Sequence, residues 1–250
     1  MVANWDLFGD EVKLGGTVSA VGLLAIEAGV VPTLTAHLIR DLDRVFNDHR
    51  DDTRREVHWV DLDAVEKRIA EQWISTYYRA PMVFFLFIPS AWTRGNRLDL
   101  VRAAIQRLEG DPRVPYGLSR SQTTVHLDYD SFDVNELGRL KREFGLLRAF
   151  PWDSHGSPLL QLTDVLLGLS NCLYTGELPK NTARGRNKLA VIQTARRQAA
   201  AHRRNFLFAY EPQGIRLLLP SPALEFQDGE GPSATPRVAS CPLLTSEVPR

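Results

Sequence analysis

The sequence lacks the features that mark secreted and membrane proteins. Its two cysteines, Cys172 and Cys241, are too few for a disulfide framework, and no Cys/His spacing suggests a zinc site. No basic segment followed by an apolar run is found near the N-terminus, so we expect no secretory signal. The longest apolar stretch, residues 159–173, is short for a membrane span and contains Asp164. We therefore expect a soluble, cytoplasmic protein with no membrane partner.

An excess of charge of either sign is also absent. Thirty Lys and Arg side chains balance thirty Asp and Glu side chains, so net charge neither suggests nor excludes a polyanionic partner. Residues 180–204, however, carry basic side chains and no acidic one. Since cations that neutralise phosphates supply most nonspecific affinity for nucleic acid, this segment is the candidate patch for binding DNA or RNA. Its candidate contact residues are Arg184, Arg186, Lys188, Arg196, Arg197, Arg203 and Arg204. A solvated helix face, packed through Leu189, Ile192 and Ala199, explains the segment equally well.

Hydrophobic periodicity predicts strands interleaved with helices. Apolar runs at residues 18–26 and 82–88 are typical of strands buried on both faces, and residues 123–129 alternate as in a half-buried strand. The E-V-H-W segment at residues 56–59 is also strand-like. Segments with helical spacing lie between these runs, and the alternation favours an α/β fold.

Composition divides the chain into three parts. The α/β domain is predicted to span residues 1–178, and a basic, mostly helical C-terminal extension is predicted at 179–219. From residue 220 to residue 250 the chain is rich in proline, and we expect a disordered tail there. The C-terminal region is the candidate contact for a protein partner.

One predicted helix carries a carboxylate in an unusual setting. Ser157 followed by Pro158 is typical of a helix start, and the residues after them are apolar nearly all round. At about 100° per residue, a single polar stripe remains, formed by Gln161, Asp164, Gly168 and Asn171. A buried carboxylate is costly unless a metal, a cation or a hydrogen-bond donor pairs with it. The alternatives for Asp164 are thus a metal ligand and a structural partner of a backbone group or an arginine.

Four carboxylates are the candidate metal ligands and catalytic residues: Asp6, Glu56, Asp128 and Asp164. Acids that converge from different elements form a hard oxygen site suited to Mg²⁺ or Mn²⁺, and two such ions can drive phosphodiester displacement. Simpler roles are open for three of them. Asp6 precedes Gly9, where we expect the first strand to end in a turn. Glu56 follows two arginines, and a solvated position explains it. Asp128 fits the solvent-exposed face of a strand.

In their order along the chain, these motifs resemble those of a widespread prokaryotic family, the domain of unknown function 3800. The resemblance spans about residues 6–176. The family's opening D-E-S-G-D is similar to residues 6–10, its E-L-K-W to residues 56–59, and its S-P-L-L-Q-L-A-D-L-L-A-G to residues 157–168. The resemblance implies a fold with a ribonuclease H-like mixed sheet flanked by helices. It also implies the activity of a metal-dependent nuclease, of the kind linked to mobile elements or defence.

Two departures from the family pattern matter, one in the first motif and one in the second. Leu7 and Phe8 replace the acid and hydroxyl of the first motif, and His58 replaces a lysine. If the lost glutamate carried a metal or a proton, activity falls, and Asp10 or Glu11 are the residues placed to compensate.

The sequence supports three functional hypotheses. The preferred one is a Mg²⁺- or Mn²⁺-dependent nuclease in which Gln161 and Asn171 orient neighbouring groups and His58 or His126 shuttles a proton. The second is a catalytically inactive module of a defence or toxin–antitoxin assembly, which the changes at Leu7 and Phe8 favour. The third is hydrolysis of another substrate by a carboxylate pair.

Overall fold

The computed structural model describes residues 4–14, 17–47, 56–88, 97–109, 111, 118–128, 132–176, 179–202, 207–211 and 214–218. Its strands are β1 (Trp5–Leu14), β2 (Thr17–Glu27), β3 (Met82–Phe87), β4 (Thr123–Asp128), β5 (Arg148–Trp152), β6 (Leu207–Glu211) and β7 (Gly214–Leu217). Its helices are α1 (Val31–Asn47), α2 (Ala64–Arg79), α3 (Arg97–Leu108), α4 (Val134–Phe144), α5 (Pro158–Thr175) and α6 (Ala183–His202).

The strands form one mixed seven-stranded sheet in the order β5-β4-β1-β2-β3-β6-β7. β1, β2 and β3 pair antiparallel, whereas β4 and β5 are added in parallel on the β1 side. On the other side, β6 is parallel to β3 and β7 is antiparallel to β6. The predicted α/β class, with a mixed sheet flanked by helices, is confirmed.

Both faces of the sheet are covered by helices. One face packs against α1, α2, α5 and α6 through a core that includes Phe84, Trp73 and Leu166. The other face packs against α3 and α4 through a core that includes Phe85 and Ile105. None of the helices in the described part of the chain combines the length and apolarity that a bilayer crossing requires.

Three of the strands that periodicity predicted, and the start of the predicted buried helix, are confirmed. β2, β3 and β4 fall on the predicted apolar and alternating runs. α5 begins as expected, with the Ser157 hydroxyl accepting a hydrogen bond from the Leu160 N–H at 3.3 Å and Pro158 in the first turn. It ends at Gly176, whose φ of 71° is the left-handed conformation that closes many helices.

The expected turn at Gly9 is wrong. β1 continues without interruption through Gly9, which pairs with Leu23 of β2 and Leu127 of β4. A Cβ on Gly9 would lie 2.5 Å from the Leu127 side chain and 2.8 Å from the Leu23 side chain. Gly9 therefore provides space between neighbouring strands rather than the backbone freedom that a turn requires.

The expected strand at residues 56–59 is also wrong. Residues 56–58 form no regular secondary structure and pair with no strand in the described part of the chain, and a turn begins at Trp59. The segment resembled a strand because Val57 and Trp59 are buried. Their N–H groups instead donate to two side chains of α5, Gln161 and Asp164.

The helix α6 and the strands β6 and β7 are integrated into this fold rather than appended to it as a mostly helical extension. α6 packs against α2 with Val191 and Ile192 buried, and the Thr194 hydroxyl lies 3.2 Å from Glu71 Oε1. The next segment supplies the two strands β6 and β7. The predicted tail at 220–250 lies outside the described residues.

Candidate functional site

The candidate site lies on the sheet face covered by α5. Alternation along β1 places Asp6, Phe8 and Asp10 on this face. Phe8 is paired in register with His126 of β4, so His126 and Asp128 point to the same side. Acidic side chains from two adjacent parallel strands thus project under one helix.

A cavity of about 300 Å³, here called the acidic pocket, opens at this position. Its walls come from β1, β4, α5, and the segments that precede α2 and α5. The residues that line it are Asp10, His58, Val60, Asp61, Asp128, Ser154, Leu160, Gln161 and Asp164. The structure therefore brings two of the predicted ligands, Asp128 and Asp164, together with Asp10.

Two glycines allow α5 to approach the strands and the turn closely. Gly22 of β2 is paired with Asp10, and a Cβ there would lie 2.7 Å from Phe84 and 3.1 Å from Leu167. Gly168, one turn after Asp164, faces the Trp59 ring, which a Cβ would meet at 2.1 Å. These contacts fix the depth of α5 and hence the position of Asp164.

Asp164 accepts a hydrogen bond rather than standing alone. Its Oδ2 accepts the Trp59 N–H at 2.8 Å, while its side chain remains 24% exposed toward the pocket. One of the two carboxylate oxygens of Asp164 therefore has the structural role of accepting a backbone hydrogen bond. The partial exposure explains how a charged group is accommodated on an otherwise buried helix.

Gln161 joins the two segments that form the rim of the acidic pocket. It is 1% exposed, its Oε1 accepts the Val57 N–H at 3.1 Å, and its Nε2 donates to the Ser154 carbonyl at 2.9 Å. Asn171 lies seven residues beyond Asp164, about 10 Å further along α5, and does not line the pocket.

Glu56 is surrounded by donors. It is 8% exposed, lies 2.8 Å from His58 Nε2 and 2.9 Å from His155 Nε2, and accepts the Ser154 hydroxyl at 3.0 Å. The structure places Glu56 behind His58 rather than on the pocket wall.

His58 is an internal cation between two carboxylates. Its Nδ1 lies 3.6 Å from Asp164 and its Nε2 contacts Glu56. The hydrogen bond to Asp164, with the charges of Glu56 and Asp164, raises the pKa of His58 to about 9, although burial opposes this shift. His58 is therefore protonated at neutral pH.

Asp10 experiences the opposite environment. Burial, followed by the charges of Asp164, Asp128 and Glu11, raises its pKa from 3.8 to about 8, while the Glu11 N–H that it accepts at 2.7 Å opposes the shift. Negative charge is thus in excess in this pocket, and Asp10 holds a proton at neutral pH unless a cation enters.

Asp6 and His126 form a separate pair, since neither lines the acidic pocket. Asp6 Oδ1 lies 2.6 Å from His126 Nε2, and both side chains are largely buried. The His126 ring stacks on Phe8 with a centroid distance of 4.6 Å. Asp6, the predicted first ligand, therefore orients an imidazole outside the pocket.

The predicted nucleic-acid contacts on α6 divide into two groups. Near the acidic pocket, Arg184 pairs with Asp61 at 2.8 Å and the Lys188 ammonium lies 5.7 Å from the centre of the Trp59 ring. Arg196 and Arg197 lie further along α6: Arg197 donates to Thr194, and burial lowers the pKa of Arg196. Arg186, before Lys188, is exposed and donates to Asn181. Arg203 and Arg204 lie outside the described residues.

Asp10, Ser154 and His155 were missed as primary site residues. The sequence did contain a signal for Asp10. Asp10 lies four residues after Asp6, so the two side chains point to the same face of a strand, and Asp10 begins a D-E dipeptide like that of the family motif. Nothing in the spacing of Ser154 and His155 indicates that they contact Glu56.

The arrangement combines hard oxygen donors with a resident cation. Within the described ranges, no group of three or more His, Cys, Asp or Glu side chains has a spacing that could hold a metal ion. The three aspartates of the acidic pocket are nonetheless the donor type that Mg²⁺ and Mn²⁺ prefer.

Comparison with known proteins gives no relative: no family model, no curated protein and no solved structure matches the chain.

Proposed function

We propose that this chain is a ribonuclease H-like protein that hydrolyses nucleic-acid phosphodiester bonds with Mg²⁺ or Mn²⁺. The sheet supports the fold assignment through its antiparallel β1-β2-β3 unit, to which β4 and β5 are added in parallel. The observation that carries the activity is the convergence of Asp10, Asp128 and Asp164 on one pocket, with the pKa of Asp10 raised to about 8.

The residues present fit a divalent cation in their chemistry. Asp10, Asp128 and Asp164 would hold it after moving closer together than their present spacing, and it would supply Lewis-acid stabilisation of the charge on the phosphate. Burial, followed by the charges of Asp164 and Asp128, raises the pKa of Asp10, and a bound cation would offset both effects by stabilising the ionised carboxylate. Trp59 and Gln161 keep α5 and the rim in place through their hydrogen bonds.

Asp10 also permits a second alignment with the family motif, in which Val12, Lys13 and Leu14 lose the match to the S-G-D that follows the acid pair. When the opening D-E of D-E-S-G-D is aligned with Asp10 and Glu11 instead of Asp6 and Leu7, the acid pair is retained. The substitutions at Leu7 and Phe8 then no longer remove a catalytic acid. Asp6 becomes the residue that orients His126.

Basic side chains beside the pocket support a phosphate-bearing substrate. Arg184 is held by Asp61, which lines the acidic pocket, and Lys188 lies over Trp59, whose N–H binds Asp164. These cations are placed to contact phosphates that flank the one in the pocket.

The contacts of His58 favour a second candidate function, an inactive binding module. Its imidazolium already neutralises part of the charge of Glu56 and Asp164. In this alternative the internal cation takes the place of the metal, and the fold serves to hold a partner.

A cleavage assay separates the two functions. Wild type, Asp10→Asn, Asp164→Asn and the surface control Asp99→Asn would be incubated with Mn²⁺ and single- or double-stranded DNA and RNA. The nuclease proposal predicts cleavage by wild type and Asp99→Asn and a loss of at least about 100-fold in the two pocket variants, as when groups that stabilise the transition state are removed. If no substrate is cleaved by wild type or by any variant, the nuclease proposal is wrong and the inactive binding module is the remaining function.

A further inference from the structure

A second cavity of about 360 Å³, here called the apolar pocket, lies beside the acidic pocket. It is within the size range of small-ligand sites. Its walls come from β1, β4, the end of β5 and the facing parts of α1 and α5. Its principal lining residues are Phe8, Pro32, Ile39, His126, Trp152 and Pro158.

Flat rings form one side of the apolar pocket. Phe8 and His126 are stacked with an interplanar angle of 8°, and Trp152 meets His126 edge-on with centroids 5.6 Å apart. Asp6 fixes the His126 ring through its contact at Nε2. Trp152 is 45% exposed although it is among the largest apolar side chains, so it is available to a ligand.

The two pockets are connected by strand register. Trp152 is paired directly with Asp128, and His126 precedes Asp128 by two residues on the same face. Adjacent strands lie about 4.8 Å apart and i, i+2 neighbours about 7 Å apart, so the rings lie one side chain away from the carboxylates. The first turn of α5 lines both cavities, through Leu159 for the apolar pocket and Leu160 for the acidic one.

Resting on the proposed function, we propose that the apolar pocket binds an unstacked base of a single-stranded nucleic acid whose adjoining phosphate occupies the acidic pocket. Every base offers a π-face, and aromatic side chains bind such faces with little dependence on sequence. A base can enter only when it is removed from a duplex stack, which makes single strands the substrate class. The lining contains no carboxylate that would repel the sugar–phosphate backbone.

Binding without cleavage tests this inference. Fluorescence anisotropy of labelled single-stranded DNA and RNA would be measured at low salt with Ca²⁺ in place of Mn²⁺, so that a cation screens the pocket carboxylates, for wild type, Trp152→Ala, Trp152→Phe and Ile215→Ala. Ile215 is an exposed apolar residue on β7, at the opposite edge of the sheet. We expect Trp152→Ala to weaken binding of at least one strand type by about 5- to 100-fold, with Trp152→Phe near wild type and Ile215→Ala unchanged. An otherwise identical abasic strand should bind wild type as weakly as the intact strand binds Trp152→Ala.

Equal affinities for wild type and Trp152→Ala would overturn the inference, as would abasic strands that bind as tightly as intact ones. The latter result would assign the apolar pocket to another occupant, such as an apolar peptide side chain. Base-dependent binding without Mn²⁺-dependent cleavage would support the inference while removing the hydrolytic proposal. Mn²⁺-dependent cleavage by wild type, together with equal binding of strands by wild type and Trp152→Ala, would support the hydrolytic proposal and overturn the inference about the apolar pocket.

Discussion

Asp10 on β1 and Asp164 on α5 line the same pocket, and the charge of Asp164 contributes to the raised pKa of Asp10. Close packing of α5 at Gly22 and Gly168 maintains this relationship. Holding two carboxylates near each other in a partly buried site costs stability, and proteins tolerate that cost mainly at functional sites. The protein should therefore gain stability when one of these charges is removed.

Replacing Asp10 with Asn should stabilise the metal-free protein at alkaline pH. The folded state holds the Asp10 proton up to a pKa of about 8, against an ordinary value of 3.8, so stability falls as pH rises between these values. Urea denaturation in EDTA should show a gain on the order of 2 kcal/mol for Asp10→Asn at pH 8.5, and a smaller gain at pH 5. A gap that is the same at both pH values would contradict the assigned pKa.

Replacing His58 with Gln should remove stability at neutral but not at high pH. The pKa of His58 is raised from 6.5 to about 9, so the stabilisation that it provides is complete below pH 6.5 and is lost as pH rises through 9. Urea midpoints of wild type and His58→Gln should therefore differ most at pH 6 and converge by pH 10. If the midpoints differ equally throughout, His58 is a packing residue and not an internal cation.

Two glycine-to-alanine substitutions should have opposite effects. Gly168→Ala places a methyl group against the Trp59 ring, which should cost about 1 to 3 kcal/mol and displace the Trp59 N–H from Asp164. Gly138→Ala on α4 meets only the tip of Arg142, at 3.5 Å, and should stabilise the helix by about 0.5 to 1 kcal/mol. Thermal unfolding of the two variants checks both signs, and a Gly168→Ala protein as stable as wild type would mean that Trp59 does not limit the approach of α5.

Hydrophobic periodicity predicted the fold class because, in the strands and helices that form the core, the pattern of apolar residues along the sequence matches the pattern of buried residues. β3 is apolar at every position and buried at every position, and α5 begins at the expected Ser157–Pro158 pair. β6 and β7 were not predicted, because short strands after a basic helix give little local signal. Their place is decided by the open edge of β3, which lies far away in the sequence.

The site was predicted only in part, because the alternation of side chains along a strand places Asp6 and Asp10 on the same face and does not show which of them enters the site. Both point to the α5 face, and only the position of Asp164 along the strand direction decides which of them it meets. Glu56 lies behind His58 and not on the pocket wall, and its contacts with His58 and His155 depend on a turn whose backbone is held by α5 side chains. Such contacts have no local sequence signature.

The most direct test is isothermal titration of Mn²⁺ into wild type, Asp10→Asn and Asp6→Asn at pH 7.5. The last two variants make the same chemical change on the same strand and the same face, but only Asp10 lines the acidic pocket. We predict saturable binding to wild type and Asp6→Asn, and a loss of at least about 10-fold in affinity for Asp10→Asn. Absence of binding to wild type, or loss in Asp6→Asn with retention in Asp10→Asn, would contradict the assignment of the acidic pocket as a metal site.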